Sequence, residues 1–386
     1  MKKYFILFSV LILMALFHAP AKAGEPEIIK IGVCLPLSGE FQNYGNAVLA
    51  GLEIGNDLFE KEYPDVAFRL ELLVRDEKSN AMVAADIVDE LAAAGVPLII
   101  GSITSDITLA MVERAKAHGV VIISPGASSP VIKGASDGWA FKMTGSDTLQ
   151  GIILAEFAKE RLNAVRAAGI INTNYQFGDS IFQPFAKAFK ENGGEIVVEE
   201  HYQWNIDLNN VFDFTPILEK VKSANPDIVL LPGYAEDSAE IIRQAQSVDL
   251  KTIFVGGDGW FSADVILASG NFIEGAYHLG GRDDRSEHPA MKRFIKAMET
   301  SNTPNAEHSS VSGFDAITLV VEAAQNKART GSEFRNWLNT LTHYQLASVS
   351  VTYEEGQDDY VGMTMYQIVR QGDEFVPHAL DIEFDK

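Results

Sequence analysis

Residues 98–130 read LIIGSITSDITLAMVERAKAHGVVIISPGASSP, and they show a strand–helix–strand pattern. Leu98–Gly101 is a short apolar run that predicts a buried strand, and Val120–Ser124 is a second such run. Between them, Asp106–His118 has the apolar spacing of a helix. Apolar strands that alternate with helices in this way are typical of a parallel sheet covered by helices.

The same alternation extends in both directions from this stretch. In the first part of the chain it adds strands at Ile29–Leu35, Phe68–Arg75 and Trp139–Met143, and helices at Asn43–Phe59 and Ala81–Ala94. It then restarts, with strands at Ala164–Asn172, Glu195–His201, Ile228–Leu231 and Thr252–Val255, and helices at Ser180–Asn192, Thr215–Ala224, Ser238–Val248 and from Ala263. The pattern predicts an α/β protein of two Rossmann-like lobes with parallel-type sheets, which suits the length of the chain.

The last hundred residues are less regular. They predict helices at Pro289–Glu299, Gly313–Lys327 and Ser332–Leu341, and strands at Ser348–Tyr353 and Met363–Arg370. Because these elements must join one lobe or the other, we expect multiple crossovers and a well-defined hinge that can close around a ligand. We assign 24–146 plus 277–348 to lobe 1 and 147–276 plus 349–386 to lobe 2.

The N-terminus has the features of a secretory signal peptide. Lys2 and Lys3 precede the apolar run Tyr4–Phe17, and small residues follow up to Ala23. The apolar run is shorter than the roughly 20 residues that span a bilayer, although an uncleaved membrane anchor is the alternative interpretation. We therefore expect a periplasmic protein that is cleaved after Ala23.

The chain is strongly acidic, with a formal net charge of −22. Residues 1–23 contain three lysines and no acidic residue, so their removal takes the net charge to −25. Nucleic-acid binding requires clustered Lys and Arg, so we expect no nucleic-acid partner.

The sequence gives little support for a disulfide, a metal or a cofactor. Cys34 is the only cysteine, and it lies within the apolar run Ile29–Leu35, so we expect a core residue rather than a lipidated one. The histidines are scattered, with no paired metal-ligand spacing. The chain has no Gly-x-Gly-x-x-Gly motif after its first strand, no P-loop and no Gly-x-Ser-x-Gly motif, which disfavours an enzyme.

In open α/β sheets, ligands bind at the loops that follow the carboxyl ends of the strands. After the strand Leu98–Gly101, Ser105 fits the N-cap of the next helix, where free N–H groups can hold a carboxylate. After the strand Val120–Ser124, Gly126 permits close approach of the backbone, and Ser129-Pro130 predicts the N-cap and first residue of a short helix. Two interpretations remain open from these residues alone. They bind a carboxylate group, or they only cap the helices.

The corresponding loops of the second half have a different character. They contain Asn174–Asp179, Pro232–Asp237 and Gly256–Trp260, which combine aromatic side chains with acids. Asp258, next to glycines and Trp260, suits an ammonium group, although Asp beside Gly is also ordinary turn chemistry. A carboxylate site on one lobe and an ammonium site on the other would together hold a zwitterion such as an α-amino acid.

The chain resembles the branched-chain amino-acid binding proteins of ABC transporters, which have the type I periplasmic binding fold. The resemblance covers essentially the whole mature sequence, and it rests on the order and spacing of several short stretches. These are Ile31–Gly39 with Tyr44-Gly45, Ile99–Ser102, Ile123–Ser128, Phe177–Asp179, and Arg243–Ala245 followed by Gly256–Gly259.

The resemblance implies a set of ligand contacts. Ser105, Ala127 and Ser128 match positions that hold the ligand carboxylate, and Asp258 matches an acid, often Glu in the family, that holds the ammonium. Tyr234 matches an aromatic residue that lines the site. Phe177 falls where the family usually has Tyr. Tyr44 and Trp260 are expected near the ligand side chain.

The resemblance also implies the function. We expect a solute-binding protein that captures a branched-chain, aromatic or related amino acid and delivers it to an ABC transporter. Its partners are the small-molecule ligand and the membrane permease subunits, and we expect a monomer without a cofactor. Since the family also binds amides, urea and aromatic acids, such ligands are the alternative. A ligand-sensing module for a membrane receptor is another.

Overall fold

The computed structural model describes residues 25–205, 211–260, 269–281, 287–304, 306, 308–353, 360–380 and 382. The predicted signal peptide and the helix predicted from Ala263 lie outside these residues. The strands are β1 (Glu27–Leu35), β2 (Phe68–Asp76), β3 (Leu98–Gly101), β4 (Val121–Ser124), β5 (Ala140–Lys142), β6 (Arg166–Asn172), β7 (Glu195–Tyr202), β8 (Ile228–Leu231), β9 (Ile253–Gly256), β10 (Tyr277–Gly280), β11 (Tyr344–Gln345), β12 (Ser350–Thr352), β13 (Tyr360–Val361), β14 (Thr364–Gln371) and β15 (Glu374–Ala379).

Helices connect most of these strands. They are α1 (Gln42–Glu62), α2 (Ala81–Ala93), α3 (Ser105–His118), α4 (Val131–Ser136), α5 (Asp147–Glu160), α6 (Gln176–Glu191), α7 (Thr215–Ala224), α8 (Ala235–Ser247), α9 (Pro289–Thr300), α10 (Val311–Gln325) and α11 (Gly331–Leu338). Short 3₁₀ turns lie at Asp258–Trp260, Gly270–Ile273 and His308–Ser310.

Two sheets organise the molecule, as the α/β prediction requires. The first is a parallel five-stranded sheet with the order β2-β1-β3-β4-β5. The second has seven described strands in the order β15-β14-β10-β9-β8-β6-β7. The β10–β14 and β14–β15 pairs are antiparallel, and the other pairs are parallel. Strands β3, β4 and β8 are buried along their whole length because helices cover both faces, which explains their continuous apolar runs.

The chain passes between the two sheets more than once, as predicted. It leaves β5 at residues 143–146 to begin α5 in the second lobe. After β10 it returns to α9, whose Met291 and Phe294 pack with Ile54 of α1 in the first lobe. A small antiparallel sheet of β11, β12 and β13 follows, and Gly362 and Met363 then lead from β13 into β14 of the seven-stranded sheet.

Strand β10 was not predicted, and it belongs to the second sheet. It pairs with β9 in parallel and with β14 in antiparallel register. The predicted division places residues 277–280 in lobe 1, so this strand lies in the other lobe. The remaining bounds of the two lobes stay predictions.

Helix α5 was also missed, because its buried residues surround the helix axis. They are Asp147, Gln150, Gly151, Ile153, Leu154, Ala155, Phe157 and Ala158. A helix that is buried on nearly all sides lacks the polar face that makes helical periodicity visible in a sequence.

Helices α1 and α10 approach each other closely in the first lobe. A Cβ atom on Gly51 would lie 1.9 Å from the carbonyl oxygen of Ser310, and one on Gly313 would lie 2.0 Å from that of Val48. Glycine at both positions therefore allows the two backbones to touch. This contact fixes the part of α1 that faces the second lobe.

Cys34 is fully buried in the core of the first lobe, as expected. Its Sγ lies 3.6 Å from Oε2 of the buried Glu77, whose Oε1 accepts a hydrogen bond from Ser102 Oγ at 2.6 Å. Burial raises the pKa of the Cys34 thiol far above its usual value and raises the pKa of Glu77 to about 8. The thiol therefore stays protonated and unreactive.

Candidate functional site

A cavity of about 160 Å³ lies between the two lobes, at the carboxyl ends of the central strands. Among the residues predicted to contact a ligand, Tyr44, Ser105, Ser128, Phe177, Tyr234 and Asp258 line it. Ala127 and Trp260 are absent from its wall. The loops after β3 and β4 are adjacent, as the parallel order of these strands requires.

Ser105 joins these two loops to each other. Its Oγ accepts hydrogen bonds from the backbone N–H groups of Ser128, at 3.3 Å, and Ser129, at 3.1 Å. It is the first residue of α3 rather than the N-cap, because the extended residue is Thr104, with φ −101° and ψ 149°. The predicted cap position was therefore one residue late. For α4 the predicted N-cap, Ser129, was one residue early, because the N-cap in the structure is Pro130.

Ala127 is buried in the core of the first lobe. Its backbone N–H donates to Ser124 Oγ at 2.9 Å, so this amide is already paired. The geometry favours Ser128 over Ala127 as the loop residue that contacts a ligand.

Thr104 was not singled out from the sequence, yet it lines the cavity. Its Oγ1 is buried and has no hydrogen-bond partner among the described residues. An unpaired buried hydroxyl costs about 1–3 kcal/mol, so a ligand acceptor or donor at this position would be stabilised. The preference of N-caps for Thr as well as Ser was the sequence signal that could have found it.

Lys142 adds a positive charge beneath the loop after β4. The side chain is fully buried, and its Nζ donates to the carbonyl oxygens of Ser128, at 3.3 Å, and Ser129, at 3.2 Å. Together with the N-terminus of α3, this cation makes the first-lobe side of the cavity favourable for an anion.

Asp258 stands on the second-lobe side of the cavity. Its Oδ1 is buried and accepts no hydrogen bond within the described part of the chain. Burial and, to a smaller extent, the nearby Asp147 carboxylate together raise the pKa of Asp258 to about 8. A bound cation would oppose both effects, because a nearby positive charge favours the ionised form of a carboxyl group.

Gln150 holds the backbone of Asp258 in place. Its Oε1 accepts the N–H of Asp258 at 3.0 Å, and its Nε2 donates to the carbonyl of Gly145 at 3.0 Å. The side chain therefore connects the first crossover to the loop that carries Asp258.

An aromatic cluster closes one side of the cavity and crosses the lobe boundary. Tyr234 stacks on Phe177 with ring centroids 5.2 Å apart, and both belong to the second lobe. Phe41 and Tyr44 of the first lobe contact Tyr234 at 4.7 and 6.2 Å. Burial raises the pKa of Tyr44 and of Tyr234 well above 10, so both hydroxyls stay protonated.

Tyr44 also ties the lobes together by hydrogen bonds. Its hydroxyl accepts the backbone N–H of Ala235 at 3.0 Å and lies 3.1 Å from the carbonyl oxygen of Gly259, to which it donates. Tyr175 and Glu40 make a second bridge at 2.8 Å. The lobes are therefore in contact around the cavity.

Trp260 does not lie where the prediction placed it. It is 1% exposed and belongs to the core of the second lobe, where a Cβ on Gly256 would lie 2.2 Å from its indole. The 3₁₀ turn directs Asp258 toward the cavity and Trp260 into the core.

Within the described residues, no group of three or more His, Cys, Asp or Glu side chains could hold a metal ion. None of the helices described is both long enough and apolar enough to cross a membrane.

Comparisons with known proteins agree with the fold. Residues 28–373 match the family model described as periplasmic binding protein. The leucine-, isoleucine-, valine-, threonine-, and alanine-binding protein of Pseudomonas aeruginosa is 23% identical over 327 residues, which cover 83% of this chain and 86% of that protein.

Two solved structures share the fold. A branched-chain amino-acid transporter substrate-binding protein from Streptococcus pneumoniae, in complex with isoleucine, has a TM-score of 0.78 at 24% identity and covers 92% of this chain and 99% of its own. A solute-binding protein from R. palustris, in complex with 4-hydroxybenzoate, has a TM-score of 0.80 at 15% identity. The match covers 92% of this chain and 96% of that protein. The chain therefore belongs to the periplasmic binding protein family and has the type I fold that its resemblance to the branched-chain amino-acid binding proteins predicted.

Proposed function

We propose that this protein is a solute-binding protein, not an enzyme, that captures an amino acid in the interlobe cavity. The observation that carries the proposal is the opposite polarity of the two cavity walls. The first lobe presents hydroxyls at the N-terminus of α3 with Lys142 behind them, whereas the second presents Asp258 with an unpaired oxygen. An α-amino acid offers a carboxylate to the first wall and an ammonium to the second.

The rest of the wall indicates an apolar ligand side chain. Ile103, Val48, Met143, Val349 and Met363 line the cavity. Its volume of about 160 Å³ is close to that of an engineered apolar cavity, about 150 Å³, that binds benzene. Because the same space must also hold the α-carboxylate and the ammonium, it favours a small apolar side chain, in line with the relatives from P. aeruginosa and S. pneumoniae.

Closure of the two lobes is the proposed mechanism. The ligand binds first to Thr104, Ser105 and Ser128, and the second lobe then brings Asp258 and Tyr234 against it. Only contacts that bridge both lobes favour the closed form over the open one. The permease subunits of an ABC transporter would recognise that closed form, and we place the protein in the periplasm as a monomer cleaved after Ala23.

A second candidate ligand is an aromatic carboxylate with a hydroxyl group. Because burial and Asp147 raise the pKa of Asp258 to about 8, this carboxyl is largely protonated at neutral pH when no cation is bound. A protonated carboxyl can donate a hydrogen bond to a ligand hydroxyl. The relative that binds 4-hydroxybenzoate supports this alternative.

Calorimetry on refolded protein tests the proposal. We expect an apolar α-amino acid to bind, and Asp258→Asn to weaken it by roughly 10- to 100-fold, as loss of a charge-assisted hydrogen bond would. Asp249→Asn, an exposed acid of the same lobe, is the matched control and should bind like the wild type. Binding only of carboxylates without an amino group would overturn the amino-acid proposal and favour the aromatic carboxylate.

A further inference from the structure

We infer that Met363 sets the size of the ligand that the cavity accepts. This inference rests on the proposed function, since it concerns the same cavity. Met363 and Gly362 form the connection from β13 to β14, and both line the cavity. The residue therefore lies on a crossover between the lobes rather than on a loop at the carboxyl end of a strand.

Met363 packs directly on the first crossover. A Cβ atom built on Gly145 would lie 2.4 Å from Met363 Sδ, 2.8 Å from its Cε and 2.9 Å from its Cγ. The thioether thus occupies the space that any side chain at residue 145 would need. Gly145 is buried and its φ is not in the positive range, so the contact with Met363, and not backbone strain, disfavours a side chain there.

The crossovers supply one wall of the cavity, in which several glycines lie beside the side chains of Met143, Thr144 and Met363. Gly145, Gly280, Gly281 and Gly362 all line the cavity at these connections. The polar groups of the site lie elsewhere, on the loops that carry Thr104, Ser105, Ser128 and Asp258. On this wall Met143 and Met363 are the apolar side chains, and the half-buried thioether of Met363, which packs on Gly145, limits the space left for a ligand.

The chemistry of methionine suits this role. An apolar pocket separates ligands that differ by one methylene by about 10- to 200-fold, so the volume of one side chain is enough to set a preference. An unbranched thioether also fills an irregular gap without a polar partner.

Met363→Ala tests the inference with L-valine, L-leucine and L-phenylalanine as probes. The variant removes the thioether and deepens the cavity, while the groups that contact carboxylate and ammonium stay unchanged. We expect the ratio of Kd for phenylalanine to Kd for valine to fall by about 10- to 100-fold. Met363→Leu, which conserves volume, should keep the wild-type ratio, as should Met82→Ala at an exposed methionine.

A double-mutant cycle with Gly145→Ala tests the contact itself. Alone, Gly145→Ala forces the Met363 thioether to move, so it should change the ratio of Kd for phenylalanine to Kd for valine. In the presence of Met363→Ala, the new methyl group occupies the vacated space, so the two effects should be non-additive. If Met363→Ala does not fold, Gly145→Ala alone still tests the contact, because the forced movement of the thioether should change the ratio of Kd for phenylalanine to Kd for valine.

Failure of the inference and failure of the proposed function are distinguishable. A wild-type ratio in both Met363→Ala and Gly145→Ala would overturn the role of Met363 while leaving amino-acid binding intact. If the wild-type protein binds none of the three amino acids, the amino-acid proposal fails, and the same variants are then measured with benzoate and 4-hydroxybenzoate. Unchanged discrimination between those two acids would also overturn the inference.

Discussion

At the scale of single residues, the site is defined by polar groups that burial leaves without partners. Thr104 Oγ1 and Asp258 Oδ1 are both buried and unpaired among the described residues, and they face one cavity. Such groups are costly in a folded protein unless a ligand satisfies them. The charge state of Asp258 then decides which ligand can do so.

The pH dependence of affinity should reveal that charge state. With the pKa of Asp258 raised to about 8 by burial and by Asp147, an amino acid must bind the minor ionised form below pH 8. We expect its affinity to rise by up to about tenfold per pH unit between pH 6 and pH 8, with release of a proton.

Titration calorimetry in buffers of different ionisation enthalpy measures that proton. Asp258→Asn should abolish both the release and the slope. An affinity that falls as the pH rises toward 8 and above it would instead indicate a ligand hydroxyl bound by the protonated carboxyl.

At the scale of secondary-structure elements, most strands and helices were predicted because their apolar periodicity is clear. Helix α5 escaped because it is buried on nearly all sides. Most predicted site residues reach the cavity because parallel strands place their following loops at one edge. Ala127 and Trp260 do not, since side-chain direction within a tight turn depends on packing. Lys142 was missed because it lies on a strand, and only the folded structure brings it beneath the loop of Ser128 and Ser129.

The contact between α1 and α10 provides a prediction at this scale. Gly313→Ala places a methyl group 2.0 Å from the carbonyl oxygen of Val48, so the helices must move apart. We expect a loss of about 1–3 kcal/mol in the free energy of unfolding, measured by urea denaturation.

Gly134→Ala in α4 is the matched control. A Cβ there meets nothing within 4 Å, so the substitution should stabilise the protein by about 0.5–1 kcal/mol. Equal stability changes in the two variants would contradict the close packing of α1 on α10.

At the scale of the whole molecule, the two lobes hold each other directly around the cavity. Tyr44 bonds to the backbone of Ala235, Tyr175 to Glu40, and the N–H of Gln176 to Asp106 Oδ2 at 3.2 Å. These bridging hydrogen bonds are polar, so water can replace each of them when the lobes separate. The balance between open and closed forms should therefore respond to single substitutions.

Tyr44→Phe removes the hydrogen bonds of the Tyr44 hydroxyl to Ala235 and Gly259 and leaves the ring itself unchanged. It leaves the N–H of Ala235 without its acceptor in the closed form, at a cost of about 1–3 kcal/mol. We expect a larger radius of gyration for the ligand-free protein in small-angle X-ray scattering, and weaker ligand binding. Tyr63→Phe, at an exposed tyrosine, is the control. Identical scattering of Tyr44→Phe and wild type would show that this bond does not hold the lobes.

The aromatic cluster across the lobe boundary has a kinetic consequence. Phe41 and Tyr44 contact Tyr234 over one side of the cavity, so a captured solute on that side has no exit while these rings touch. Its residence time is then governed by how often the lobes part, and not by the strength of its own contacts alone. Under the proposed function, such a protein keeps its ligand while it diffuses, and a membrane complex that separates the rings would determine when the ligand is released.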